Sequence, residues 1–134
     1  MTGAGSWRRP LAWAAAVSWA LLLITLTHVP KPPGVLQTSH DKSLHFIAYA
    51  VLAFLFYLAA VTQWPRRGGM PLWVVLVGAV FAAADEISQP YFGRSSDVLD
   101  FRADMIGLIA GVLLAAIGRR LVKRILRRRQ TPRP

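Results

Sequence analysis

Three short segments contain all six acidic residues of the chain, together with the other side chains best suited to chemistry. These side chains are Asp41, Lys42, His45, Tyr49, Asp85, Glu86, Gln89, Arg94, Asp100 and Asp104. Carboxylates beside an imidazole can act as general acids and bases, or they can hold a divalent metal ion. Carboxylates combined with lysine and arginine can instead bind the polar headgroup of an amphiphile. The residue types therefore permit proton transfer, metal binding or headgroup recognition.

Helical spacing groups these side chains on shared faces. Asp41, His45 and Tyr49 follow one another at intervals of four residues, which places them on one side of a helix. Glu86 and Gln89 are three residues apart and are helix neighbours in the same way. The spacing predicts two polar helix faces, each able to contribute to a common site.

A third polar face enters the last apolar segment of the chain. Asp100, Asp104, Gly107 and Gly111 share one side of a helix. The two glycines form a small-xxx-small pair, which lets a neighbouring helix approach closely. This face is therefore predicted to point into the protein and to carry both carboxylates with it.

Several of these side chains also have ordinary structural roles open to them. Asp41 can cap a helix, and His45 can be a hydrogen-bonded residue at a membrane boundary. Arg94 can form an ion pair with Asp97 or Asp100 in a loop. Ionisable groups near a membrane core are costly, however, so their clustering favours a functional site over a purely structural network.

The segments that position these residues are strongly apolar. Of 134 residues, 54% are hydrophobic and 16% are charged, whereas a soluble domain carries about 25% charged residues. The absence of cysteine excludes disulfides and cysteine-ligated metal sites. Ionisable residues separate four apolar runs, at residues 10–27, 46–65, 68–84 and 105–118. The sequence predicts an all-α polytopic membrane protein with four transmembrane helices in one bundle.

The fourth run has only 14 residues, which cover about 21 Å of a membrane core about 30 Å thick. The helix must therefore include Asp104 and Asp100 at one end and Arg119 and Arg120 at the other. Pro71 suits the first turn of the third helix, and Pro90 should end it. The predicted helices are residues 10–28, 44–64, 71–89 and 100–118.

The formal net charge of +10 is unevenly distributed. Two basic residues lie in residues 1–9, two in the 64–71 loop and eight after residue 118, with no acidic residue among them. The other four basic residues and all six acidic residues fall on the opposite side. The positive-inside rule predicts that both termini of this multi-pass protein lie in the cytoplasm. No small-x-small cleavage pattern follows the first apolar run, so the first helix is predicted to remain uncleaved.

Residues 119–134 form a basic tail. Leu121, Val122, Ile125 and Leu126 share one helical face, so the tail is predicted to continue the fourth helix as a basic amphipathic end. Such an end lies against anionic lipid without needing nucleic acid as a partner. The expected partners are therefore the bilayer and anionic lipid, while the sequence leaves a monomer and a homodimer equally open.

The polar segments resemble the VanZ-like family of small integral membrane proteins. The resemblance rests on Asp41-Lys42-x-x-His45-Phe46-x-x-Tyr49, on Asp85-Glu86-x-x-Gln89, on Gly93-Arg94 followed by Asp100, and on Asp104-x-x-Gly107. These motifs occur in the family's order across residues 41–107. The family usually has asparagine where this chain has Asp104, so that carboxylate needs a cationic partner or a raised pKa.

The resemblance implies a VanZ-like membrane domain over residues 10–118, between a cytoplasmic N-terminus (1–9) and the basic tail. It also implies a location in the inner membrane of a bacterium and a role in the cell envelope, linked by the family's name to glycopeptide-antibiotic resistance. The expected activity is binding or modification of a polar headgroup, or of a cell-wall or lipid-linked precursor, at the outer face.

Two other activities stay open at the sequence level. A membrane hydrolase or transferase would use His45 with Asp41 or Glu86 as a general base, or with Glu86, Asp85 and Asp100 as metal ligands. A small proton-coupled transporter would use the same cluster as a relay. The sequence does not identify a cofactor, and no residue is assigned as a metal ligand.

Overall fold

The computed structural model describes residues 7–30, 39–65 and 68–130. These residues form four helices and one short 3₁₀ turn, without a strand: α1 (Arg8–Thr27), α2 (Ser39–Gln63), α3 (Met70–Ser88), the turn Gln89–Phe92 and α4 (Val98–Gln130). Each of the four helices is long and apolar enough to cross a membrane. The predicted all-α polytopic bundle is therefore confirmed. Residues 1–6, 66–67 and 131–134 of the predicted cytoplasmic segments lie outside the described residues.

Prolines and a glycine set the two ends of α3. Pro71 occupies the first turn of α3, where its missing N–H costs nothing. Pro90 cannot donate a hydrogen bond to continue the helix, and the chain tightens into the 3₁₀ turn after Ser88. Gly93 then reverses the chain with a φ of 73°, a conformation that favours glycine.

All four helices begin earlier than predicted, and the differences at α2 and α4 change the role of an acidic residue. α2 begins at Ser39 rather than residue 44, so Asp41 lies in the first helical turn and is not a cap. A carboxylate in this position interacts favourably with the helix dipole and stabilises the N-terminal turn of α2. α4 begins at Val98, and the cap is Asp97, whose Oδ1 accepts a hydrogen bond of 2.9 Å from the Leu99 N–H.

α4 extends to Gln130, well past the end of the apolar run. Its apolar side chains in this region, such as Leu121 and Val122, are more than half exposed. This helical extension carries the basic residues that follow residue 118, and it gives the chain the amphipathic C-terminal end that the sequence predicts.

α2 and α4 form the most extensive helix pair in the bundle. Gly107 and Gly111 make this contact possible, since a Cβ at either position would collide with the backbone carbonyl of Phe46 or Ala50. Around this pair lies a core that includes Tyr49 and Leu108, both almost fully buried. The close approach brings the N-terminal ends of α2 and α4 together at one end of the bundle.

Candidate functional site

Asp85 is a buried carboxylate that accepts three hydrogen bonds at this end of the bundle. Its Oδ1 accepts a bond of 2.8 Å from the Thr27 hydroxyl, at the end of α1. Its Oδ2 accepts bonds from the Tyr49 hydroxyl at 3.1 Å and from Gln89 Nε2 at 3.4 Å. Asp85 is buried, so it joins α1, α2 and α3 through bonds that water does not weaken.

Glu86 connects α3 to the loop that precedes α4. Its Oε2 accepts bonds from the Ser96 hydroxyl at 3.2 Å and from the Asp97 backbone N–H at 3.1 Å. Its Oε1 accepts a bond of 3.4 Å from Gln89 Nε2. Gln89 therefore donates to both acidic residues, and its predicted neighbour relations with Asp85 and Glu86 are present in the folded chain.

His45 and Asp104 form a buried pair across α2 and α4. His45 Nδ1 lies 3.0 Å from Asp104 Oδ1, and the imidazole ring stacks nearly parallel to the Tyr49 ring. Asp104 stands where the family usually has asparagine, and His45 is the partner that this carboxylate needs. Glu86 lies close by, and the three residues offer ligand atoms within 4.8 Å of one another.

Lys42 neutralises the two acidic residues at the start of α4. Its Nζ lies 3.1 Å from Asp97 Oδ2 and 3.4 Å from Asp100 Oδ1. The sequence suggested Arg94 for this position, but the cation comes from α2 instead. The pKa of Asp97 is held below its usual value, first by the hydrogen bond from the Leu99 N–H and then by the one from Lys42.

Arg94 and Asp41 lie on a cavity of about 400 Å³ between α1 and α2. Most of its wall is apolar and comes from residues such as Leu22 and Leu26. His45 also lines it, so the cavity adjoins the buried pair with Asp104. An apolar wall with a charged end is the shape and polarity of a site for an amphiphile.

All ten residues singled out in the sequence lie at the same end of the bundle. Those that are buried are His45, Tyr49, Asp85, Glu86, Gln89, Asp100 and Asp104. Asp41, Lys42 and Arg94 are partly exposed. The arrangement therefore has a buried network, which fixes the helices, and a more accessible rim beside the cavity.

Sequence reasoning missed the contribution of α1 to this network. Besides the Thr27 bond to Asp85, His28 Nε2 lies 2.9 Å from the Ser88 hydroxyl, and its Nδ1 lies 3.6 Å from Asp85 Oδ1. The available signal was that the polar pair Thr27-His28 closes the first apolar run on the side where the acidic residues cluster.

The order of helices and the polar end can be compared with known proteins. The sequence pattern of the VanZ/LLP1 family matches residues 7–119, which include α1 to α3, the membrane-spanning part of α4 and every residue of the polar end. Neither the curated proteins nor the solved structures contain a match to the chain. Because the family match covers most of its length, the chain belongs to the VanZ/LLP1 family of membrane proteins.

Proposed function

We propose that this protein binds, and presents or modifies, an amphiphile with an anionic headgroup at the outer face of a bacterial cytoplasmic membrane. The observation that carries the proposal is the cavity between α1 and α2. Leucine side chains of α1 would hold an acyl or prenyl chain, while Arg94 and His45 would face the headgroup. The volume of about 400 Å³ is within the usual range of about 300–1,000 Å³ for ligand sites.

The charge arrangement favours an anionic headgroup. Lys42 is occupied by Asp97 and Asp100. Arg94 and Asp41 both lie on the cavity wall, but Asp41 already has an interaction of its own, so Arg94 is the charged group proposed to meet the ligand. A guanidinium group can bind a phosphate or carboxylate through two parallel hydrogen bonds. Lipid-linked cell-wall precursors and phospholipids both carry this chemistry, and both agree with the envelope role that the family resemblance implies.

The amphiphile test compares two arginine variants. Arg94→Ala is expected to reduce the co-purifying anionic lipid at least fivefold, because the cavity loses its guanidinium. Arg102→Ala is the matched control, since Arg102 is exposed on α4 and does not line the cavity. The measurement is native mass spectrometry with lipidomics on equal amounts of purified, folded protein.

The outcomes of this comparison are distinct. Loss of one headgroup class in Arg94→Ala alone would support the cavity as its binding site. Identical lipid profiles for wild type, Arg94→Ala and Arg102→Ala would contradict the proposal. A phospholipid would identify a membrane-lipid ligand, and a prenyl-linked species would identify a cell-wall precursor.

The proposed orientation has both termini in the cytoplasm and the polar end outside. The chain contains no cysteine, so a single introduced thiol reports one position. In intact cells, Tyr91→Cys should react with a membrane-impermeant maleimide, because Tyr91 is 85% exposed at the polar end. Gly68→Cys, at the opposite end, should react only after the membrane is permeabilised. The reverse pattern of labelling would contradict the proposed orientation and place the polar end in the cytoplasm.

A modifying activity is the second candidate, and it rests on the His45–Asp104 pair. An imidazole that lines a ligand cavity and is oriented by a buried carboxylate can act as a general base. A transporter has less support, because the buried polar side chains of the described helices are confined to one end of the bundle. The inward half of the bundle offers no comparable series of proton-carrying groups within the described residues.

A further inference from the structure

His45, Glu86 and Asp104 come from three different helices and converge on one buried point. Their ligand atoms all lie within 4.8 Å of one another, and the residues are 6%, 5% and 0% exposed, respectively. One imidazole and two carboxylates form a donor set that divalent first-row metal ions accept. Convergence of three helices is also what gives a metal site its fixed geometry.

The charge balance around these residues lacks a strong cation. Burying an ionised carboxylate is costly unless a positive charge compensates it. Among the described residues, Lys42 pairs with Asp97 and Asp100, and no lysine or arginine forms an ion pair with Glu86 or Asp104. The one imidazole that contacts Asp104, that of His45, could balance at most one of these two carboxylates. A divalent ion between these two carboxylates would provide the missing charge.

A second observation concerns unpaired oxygen atoms. Three buried side-chain oxygen atoms have no hydrogen-bond partner within the described structure: Asp104 Oδ2, Asp100 Oδ2 and Gln89 Oε1. Buried polar atoms are paired in the great majority of cases, so each exception requires an explanation. The other oxygen of Asp104 contacts His45, which means that the unpaired atom belongs to the cluster itself.

We propose that His45, Glu86 and Asp104 bind one divalent transition-metal ion. Three protein ligands leave a further coordination position open, the arrangement typical of catalytic zinc sites. Ligand atoms of a tetrahedral zinc site lie about 3.4 Å apart, so the cluster needs only side-chain adjustment. Binding displaces the proton that His45 and Asp104 share, and this proton passes to solvent.

The test is a calorimetric titration with Zn²⁺ of metal-stripped protein, in detergent and without added lipid. Wild type is expected to bind one equivalent. Asp104→Asn and Glu86→Gln are each expected to weaken binding at least tenfold, because each removes a charged ligand of similar shape. Asp100→Asn is the matched control: it removes a buried carboxylate one helical turn away, outside the cluster, and should change the affinity less than threefold.

Two results would overturn the metal site. The first is wild-type protein with no saturable binding of Zn²⁺ or Mn²⁺. The second is equal weakening by Asp100→Asn and Asp104→Asn, which would indicate a general effect of negative charge rather than coordination. Circular dichroism verifies that each variant is folded. If either ligand variant does not fold, the X-ray absorption spectrum of zinc-loaded wild type is the test. Zinc bound at this site must show the signal of a coordinated imidazole, and absence of that signal would refute the site.

The metal site and the amphiphile site can fail separately. Arg94→Ala should bind Zn²⁺ as wild type does, because Arg94 is outside the cluster. Loss of lipid from Arg94→Ala with unchanged zinc binding would support both sites. Zinc binding without any co-purifying lipid would support the metal site and contradict the proposed amphiphile site.

Discussion

Replacing Asp85 with alanine is expected to lower the free energy of unfolding by about 3–5 kcal/mol. The substitution removes the acceptor of three buried bonds, from Thr27, Tyr49 and Gln89. Thr27 and Gln89 keep a second acceptor, Ile24 O and Glu86 Oε1 respectively, whereas the Tyr49 hydroxyl keeps none among the described residues. A lost hydrogen bond costs about 1 kcal/mol where another acceptor remains, and an unsatisfied buried hydroxyl costs about 1–3 kcal/mol. Because these donors come from α1, α2 and the end of α3, their loss weakens the whole polar end.

The size of this effect can be measured by denaturant titration in mixed micelles with circular dichroism. Asp97→Ala is the control, since Asp97 is partly exposed, and its removal should cost only about 1–2 kcal/mol for the lost cap of α4 and the exposed ion pair with Lys42. Combining Asp85→Ala with Thr27→Val should cost less than the two single changes together, because both remove the same bond. Additive losses, or an Asp85→Ala variant as stable as Asp97→Ala, would contradict the network.

The apolar runs were sufficient to predict four helices, since length and composition alone decide whether a segment can span a membrane. The helix ends were harder to predict. Asp41 resembled a cap because it precedes an apolar run, yet α2 begins before it. The cap of α4 is Asp97, which the sequence had offered only as an ion-pair partner. A cap depends on local backbone geometry, which periodicity does not describe.

Along one helix, sequence spacing correctly predicted which side chains are neighbours: Gln89 contacts Asp85 and Glu86 as its position suggests. Contacts between helices could not be predicted in the same way. The pairing of Lys42 with Asp97, and of Thr27 with Asp85, depends on the rotation and depth of each helix. Those are set by close packing in the core, so the residues of the site were evident while their partners were not.

Gly111→Ala is expected to be the most disruptive small substitution in the apolar core. The added methyl group would overlap the carbonyl oxygen of Ala50, which is backbone and cannot rotate away. α2 and α4 must then separate, at a cost of about 1–3 kcal/mol for overpacking. Gly118→Ala is the matched control on the same helix, because its methyl group would meet no atom within 4 Å. It should leave stability unchanged or raise it by up to about 1 kcal/mol through helix propensity.

The same substitution links packing to the polar end. Gly107 and Gly111 set the distance between α2 and α4, and that distance brings His45 Nδ1 within 3.0 Å of Asp104 Oδ1. Gly111→Ala should therefore weaken both the folded bundle and Zn²⁺ binding, whereas Gly118→Ala should affect neither adversely. Stability is measured by the same denaturant titration, and zinc affinity by calorimetry on protein that is still folded. Equal stability of the two alanine variants would show that the glycine face does not control the α2–α4 separation, and the position of His45 would then need another cause.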